Sequence, residues 1–209
     1  MAENKRALEI ELLKLDISGF TTTGESRHVA TCELVWPRMQ VASKSSVRTL
    51  KLHKGVVELQ KARWLDRILF KESVEYRFGL VFRVTQSLSA ELFDELMRFI
   101  GATAFGIAGN MLDKEIGNEA GDLAASPLLF IRKKLQASHE AEIILEGGID
   151  MNAADLEEDA IVEIPLISQV NRYTHTMNTS GRGPSSSRKR IIAVGSRLGT
   201  ATLHISSLR

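Results

Sequence analysis

Val74-Glu75-Tyr76-Arg77-Phe78-Gly79-Leu80-Val81-Phe82-Arg83-Val84 places an apolar or aromatic side chain at every second position. A period of two sustained over eleven residues describes an extended strand with one buried face and one largely wet face. Beyond Leu88 the spacing turns helical. Ser89 is suited to cap that helix, Leu88 and Phe93 stand at the spacing of a hydrophobic staple, and Glu91, Asp94 and Glu95 lie near the positive end of its dipole. Phe99, Ile100, Phe105, Ile107, Met111 and Leu112 then cover more than one helical face. A sheet packed against at least one helix is the expectation from this join.

The flanking sequence extends the pattern. Leu8, Ile10 and Leu12 share one phase, whereas Leu13, Leu15 and Ile17 share the other, which predicts a bulge or a bend in a first strand. Residues 18–24 form a Gly/Ser/Thr turn, and Ala30, Cys32, Leu34 and Trp36 alternate as far as Pro37. Val47 to Leu59 reads as a hairpin turning near His53-Lys54-Gly55. Trp64 to Phe70 fits either a strand or a helical turn, and its position among strands favours strand. A second helix is expected from Pro127, capped by Ser126, to about Ala137. Strands resume at Ile143–Leu145 and Val162–Leu166, and a last pair covers Ile191–Val194 and Ala201–Ile205.

About nine strands result, with one helical insertion at about 89–137. Strands and helices do not alternate, which disfavours a doubly wound α/β fold. The expected architecture is a single domain over 1–209. It is mainly β, an antiparallel β-sandwich (alternatively a partly closed barrel) packed against a helical hairpin.

Composition narrows the function classes. The chain of 209 residues is 44% hydrophobic and 25% charged, as in ordinary globular proteins. Cys32 is the lone cysteine, so no internal disulfide framework exists, in keeping with a reducing compartment. No secretory or presequence-like run opens the sequence, and the longest uncharged apolar stretch, Phe99 to Leu112, has 14 residues, short of the roughly 20 that span a bilayer. A cytoplasmic location without a transmembrane segment is expected. Charge is segregated: +3 over residues 1–110, −9 over 111–165 and +7 over 166–209. Opposed blocks of this kind attract within a fold or between subunits.

Each candidate chemistry has a plainer explanation beside it. An EF-hand beginning at Asp150 would have Asp155 in place of its glycine and Ile161 in place of its bidentate acid, so Asp150–Asp159 reads as an acidic turn. The five histidines are scattered, and His139-Glu140 lacks the second histidine of a metalloprotease helix. No metal and no cofactor is expected. Gly195-Ser196-Arg197-Leu198-Gly199 places its serine one position early for a nucleophile elbow, and Cys32 has the phase of a buried thiol.

Two segments carry the remaining specific readings. Residues 181–190 read as a flexible loop whose Arg182, Arg188, Lys189 and Arg190 are suited to an anion, with Arg38, Lys44, Arg48, Lys51 and Lys54 as possible support. Gly101, Phe105, Gly106 and Gly109 lie in the apolar helix, where small residues allow a second backbone to approach and suggest self-association.

The expectation is a non-enzymatic protein-interaction or assembly module whose partner is a protein, a second copy of the chain included. The alternative is an anionic phospholipid or nucleic-acid surface met through residues 181–190. A further alternative is an enzyme with a dispersed site near His175 and Tyr173.

Overall fold

The computed structural model describes residues 5–21, 24–35, 44–75, 77–104, 142–178 and 186–208. The chain runs through β1 (Lys5–Asp16), β2 (Glu25–Val35), β3 (Lys44–His53), β4 (Val56–Glu58), α1 (Trp64–Arg67), β5 (Ile68–Glu75), β6 (Arg77–Thr85) and α2 (Ala90–Ala104). It continues through β7 (Ile143–Asn152), β8 (Asp159–Ser168), β9 (Arg172–Asn178), β10 (Ser186–Ile192) and β11 (Arg197–Ser207). The order β11-β8-β7-β6-β2-β3-β4-β1 closes on itself because β1 also pairs with β11, and β5 adds to β1 beside β4. This is an eight-stranded antiparallel barrel, which corrects the sandwich expected from the sequence. Alternation reports one buried face per strand, and that face is the same whether strands stack in two layers or bend into a ring.

β1 makes the closure. Leu8 to Asp16 pair with Ser207 to Thr200 on one edge, with a register shift between Leu12 and Lys14 where the phase change predicted one. Its other edge is shared: Lys5 to Glu11 pair with β5, and Lys14 to Asp16 with β4. Glu11 faces Ile68 and Lys14 faces Glu58, so the two β1 residues between them, Leu12 and Leu13, stand against nine of the neighbouring chain, Leu59 to Arg67. The surplus forms the excursion containing α1, which corrects the strand expected at Trp64. Its Trp64 Nε1 donates to Glu9 Oε1 at 2.7 Å, and Arg67 pairs with the buried Glu11 at 3.2 Å.

The headline alternation from Val74 to Val84 is also two strands. β5 ends at Glu75 and pairs with β1; β6 begins at Arg77 and pairs with β2 and β7. Val74 and Phe78 both face inward, so the corner leaves the period undisturbed.

Leu8, Ile10, Leu12, Leu34, Phe78, Phe82, Leu145, Leu166 and Leu203 fill the barrel interior. α2 lies outside, against β2 and β3. Ser89 caps it through Leu92 N–H, Leu88, Leu92, Phe93 and Leu96 are buried, and Lys51 Nζ stands 5.6 Å from the Phe93 ring centre. The expected insertion over 89–137 is described as helix for Ala90–Ala104 only; the second helix of the expected hairpin lies outside the described residues. Among the described residues no helix is long and apolar enough to cross a membrane.

Two details fix where the barrel ends lie. The β3–β4 hairpin turns on Lys54 and Gly55, with φ of 51° and 79°, the left-handed pair that a tight two-residue turn requires. β7 and β8 pair at Leu145–Ser168 and Glu146–Ile167, and there Gly147 passes so close to β8 that a Cβ would stand 2.1 Å from the Pro165 carbonyl oxygen.

The neighbouring Gly148 has its nearest such contact at 3.4 Å. Gly147→Ala is therefore expected to lose about 1–3 kcal/mol in urea unfolding, whereas Gly148→Ala stays within about 1 kcal/mol of the parent. Equal losses would contradict the close approach of β7 to β8.

Candidate functional site

The two ends of the barrel differ in charge. β7 runs from one end to the other, residues 153–158 turn at the far end, and β8 returns. Residues 142–165 contain eight acids and no lysine or arginine; Glu142 and Glu146 stand where β7 begins, at the near end, whereas Asp150, Asp155, Glu157 and Asp159 are exposed around the far turn. The turn is held from within by Arg6, whose guanidinium donates to the carbonyls of Ala153, Leu156 and Glu157 and to Ser207 Oγ. Asp159 also meets His204 Nε2 at 3.4 Å, and His204 Nδ1 meets Glu11 at 3.3 Å.

At the opposite end, β9 and β10 form a separate two-stranded ribbon. Its register sets Arg188 against Thr176, Lys189 against His175, Arg190 against Thr174 and Ile192 against Arg172. Three of the four basic residues assigned from sequence to a loop thus occupy a strand. Arg182 lies outside the described residues. Strand residues of the ribbon include four basic side chains and no acid.

The ribbon's root is built into the barrel mouth. Ile192 is buried in the core, Val194 N–H donates to Asn171 Oδ1 at 3.0 Å, and the Arg172 guanidinium lies 5.1 Å from the Phe20 ring centre. Beyond that root the ribbon makes no run of contacts with the barrel strands among the described residues.

Beneath the mouth sit two buried polar side chains of β2, Ser26 and His28. His28 Nδ1 lies 2.8 Å from the Thr85 carbonyl, an acceptor that fixes the ring proton on Nδ1. Nε2 therefore presents a lone pair, and neither it nor Ser26 Oγ has a protein hydrogen-bond partner among the described residues. Burial pushes the imidazole pKa down, the Thr85 carbonyl partly opposes this, and the charge of Arg172 adds to the depression. The ring is neutral at physiological pH. Sequence reading counted His28 among scattered histidines, although its parity with Ala30, Cys32 and Leu34 already placed it inward.

The other candidates are not brought together. Cys32 is fully buried, and burial, with Glu33 nearby, pushes its thiol up to about 12, which describes an inert structural group. Gly101 falls in the last turn of α2, while Phe105, Gly106 and Gly109 lie outside the described residues. His175 stands in β9 opposite Lys189. Of the supporting basic residues, Lys44 pairs with Glu72, Arg48 is largely buried with Nη1 on the Val47 carbonyl, and Lys51 covers Phe93. No group of three or more metal-ligating side chains occurs among the described residues. A shallow groove of about 420 Å³ lined by Ala7, Lys71, Glu72, Ser73 and Leu208 lies at the acidic end and holds no histidine or thiol.

Compared with known proteins, the chain matches no protein-family model and no curated protein significantly.

The depressed His28 pKa has a sign. Between its lowered native value and the ordinary value near 6.5, the unfolded chain takes up a proton that the native chain refuses, so His28 costs stability as pH falls below about 6.5. His28→Asn retains an N–H for the Thr85 carbonyl and removes the titration. Denaturant unfolding from pH 7.5 to 5 is expected to fall more steeply for the parent than for His28→Asn. Parallel curves would show that the ring is not buried neutral.

Proposed function

We propose that the protein is a non-enzymatic interaction module that presents the β9–β10 ribbon to an acidic protein surface. The observation carrying this reading is the ribbon itself: a two-stranded element joined to the barrel at its root, with Arg172, Arg188, Lys189 and Arg190 and no acid among its own strand residues. Such a concentration of one sign of charge attracts an anionic partner.

Other features support it. Apolar side chains fill the barrel, which serves as a rigid mount for the elements at its ends. The ribbon carries no acid that could orient His175 as a catalytic base, and its ladder neighbour Lys189 is a cation. An acidic protein is favoured over nucleic acid because the whole chain is near neutral, at +1, where nucleic-acid modules are decidedly basic.

Poly-L-glutamate is a suitable probe, measured beside duplex DNA and anionic phospholipid vesicles. The parent is expected to bind polyglutamate at low ionic strength and release it near about 0.5 M salt. The variant Arg188→Glu/Lys189→Glu/Arg190→Glu should lose more than about tenfold in affinity with its thermal midpoint unchanged. Undiminished binding by that variant would overturn the reading. Tighter binding of DNA or vesicles than of polyglutamate would replace the acidic protein by a nucleic acid or a lipid surface.

A further inference from the structure

We infer that the acidic surface met by the ribbon is the β7–β8 turn of a second copy of this chain, so that the protein associates head to tail. The inference rests on the reading of the ribbon as the interaction element and names its partner.

The first ground is placement. The ribbon leaves the barrel beside Phe20 and Asn171, and the acidic turn closes the barrel at the other end, where Arg6 and Ser207 hold it. β7 has ten residues, which at about 3.3 Å each put roughly 30 Å between the two ends. The Debye length is about 10 Å at 0.1 M salt, so attraction across one barrel is strongly screened. The same charges brought into contact between two molecules are not.

The second ground is apolar. Each charged end exposes large aliphatic side chains: Ile161, 71% exposed, stands on β8 near the acidic turn, while Ile191 at 61% and Val194 at 55% stand on the ribbon and its root. An apolar centre within a charged rim is the usual composition of a protein contact. The ribbon of one molecule and the turn of the next are different surfaces, so the contact is heterologous; whether its rotation closes decides between a ring and an open chain. Two hairpin-sized surfaces make a small interface, and association is correspondingly weak.

The experiment is light scattering on the full chain at about 0.1 mM or more, at low ionic strength and at about 0.5 M salt. The parent should show at least twice the monomer mass at low salt and return to monomer at high salt. Arg188→Glu/Lys189→Glu/Arg190→Glu and Asp150→Lys/Asp155→Lys/Glu157→Lys should each be monomeric, with circular dichroism and thermal midpoint verifying the fold. The chain carrying both sets has its charges exchanged end for end and should associate again. That chain also returns to the parent's net charge of +1, so a control at the ribbon variant's charge is needed. Lys61→Glu/Arg63→Glu/Lys71→Glu, outside both the ribbon and the β7–β8 turn, should still associate. Its failure to do so would show net charge alone at work and overturn the contact.

A monomeric parent at low salt, or association that survives either reversal, would overturn the inference. If such a monomeric parent still bound polyglutamate through its ribbon, the partner alone would be wrong. If ribbon reversal left polyglutamate binding untouched, the proposed function would fall with it.

Discussion

β1 is the strand on which the rest of the structure depends. It pairs with β11 along one edge and divides the other between β4 and β5, so removing its register would open the ring on both sides at once. The bulge between Leu12 and Lys14 allows this. By inserting a residue it returns Leu15 and Ile17 to the interior after Leu8, Ile10 and Leu12, and it bends the strand where its neighbour changes from β5 to β4. Closure also satisfies backbone groups that an open sheet would leave at its edges. Arg6, near the start of the same strand, then clamps the β7–β8 turn through its carbonyls. One strand therefore sets both the ring and the position of its acidic end.

Much of this was readable in the sequence wherever a local pattern had a single structural meaning. The phase change at Leu12–Leu13 became the bulge, His53-Lys54-Gly55 became the turn, and Ser89 became the cap of α2. What escaped was non-local. Alternation through Tyr76 is indifferent to the passage from β5 to β6, because Val74 and Phe78 remain inward on both sides of the corner. Ring closure relies on pairing Leu8 with Ser207, which no window of neighbouring residues contains. α1 arises from a mismatch in the number of residues paired with β1, again a property of distant registers.

The candidate site was less legible for a different reason. Ser186-Ser187-Arg188-Lys189-Arg190 lacks an apolar alternation, since a two-stranded ribbon outside the core has no face that must be buried. Its composition resembled a loop, and its charge was visible before its geometry. The buried polar pair Ser26 and His28 was hidden in the opposite way: parity placed it inward, yet nothing local revealed that β2 begins under a barrel mouth beside Arg172. The basic and acidic blocks were plain from counting, whereas the placement of the ribbon and the β7–β8 turn at opposite ends follows from strand direction alone. A filled interior and two unlike ends together describe a molecule whose chemistry lies in what its ends touch.

Native-state hydrogen exchange tests most directly the central division between a closed barrel and a ribbon mounted on it. An isolated two-stranded hairpin is marginally stable in water, whereas β1 and β11 lie in the ladder that closes the ring. The account predicts that amides of β1 and β11 exchange only with global unfolding, while those of β9 and β10 exchange through local opening at markedly lower free energy. Ribbon amides as protected as those of β1, or β1 exchanging ahead of the other barrel strands, would contradict it.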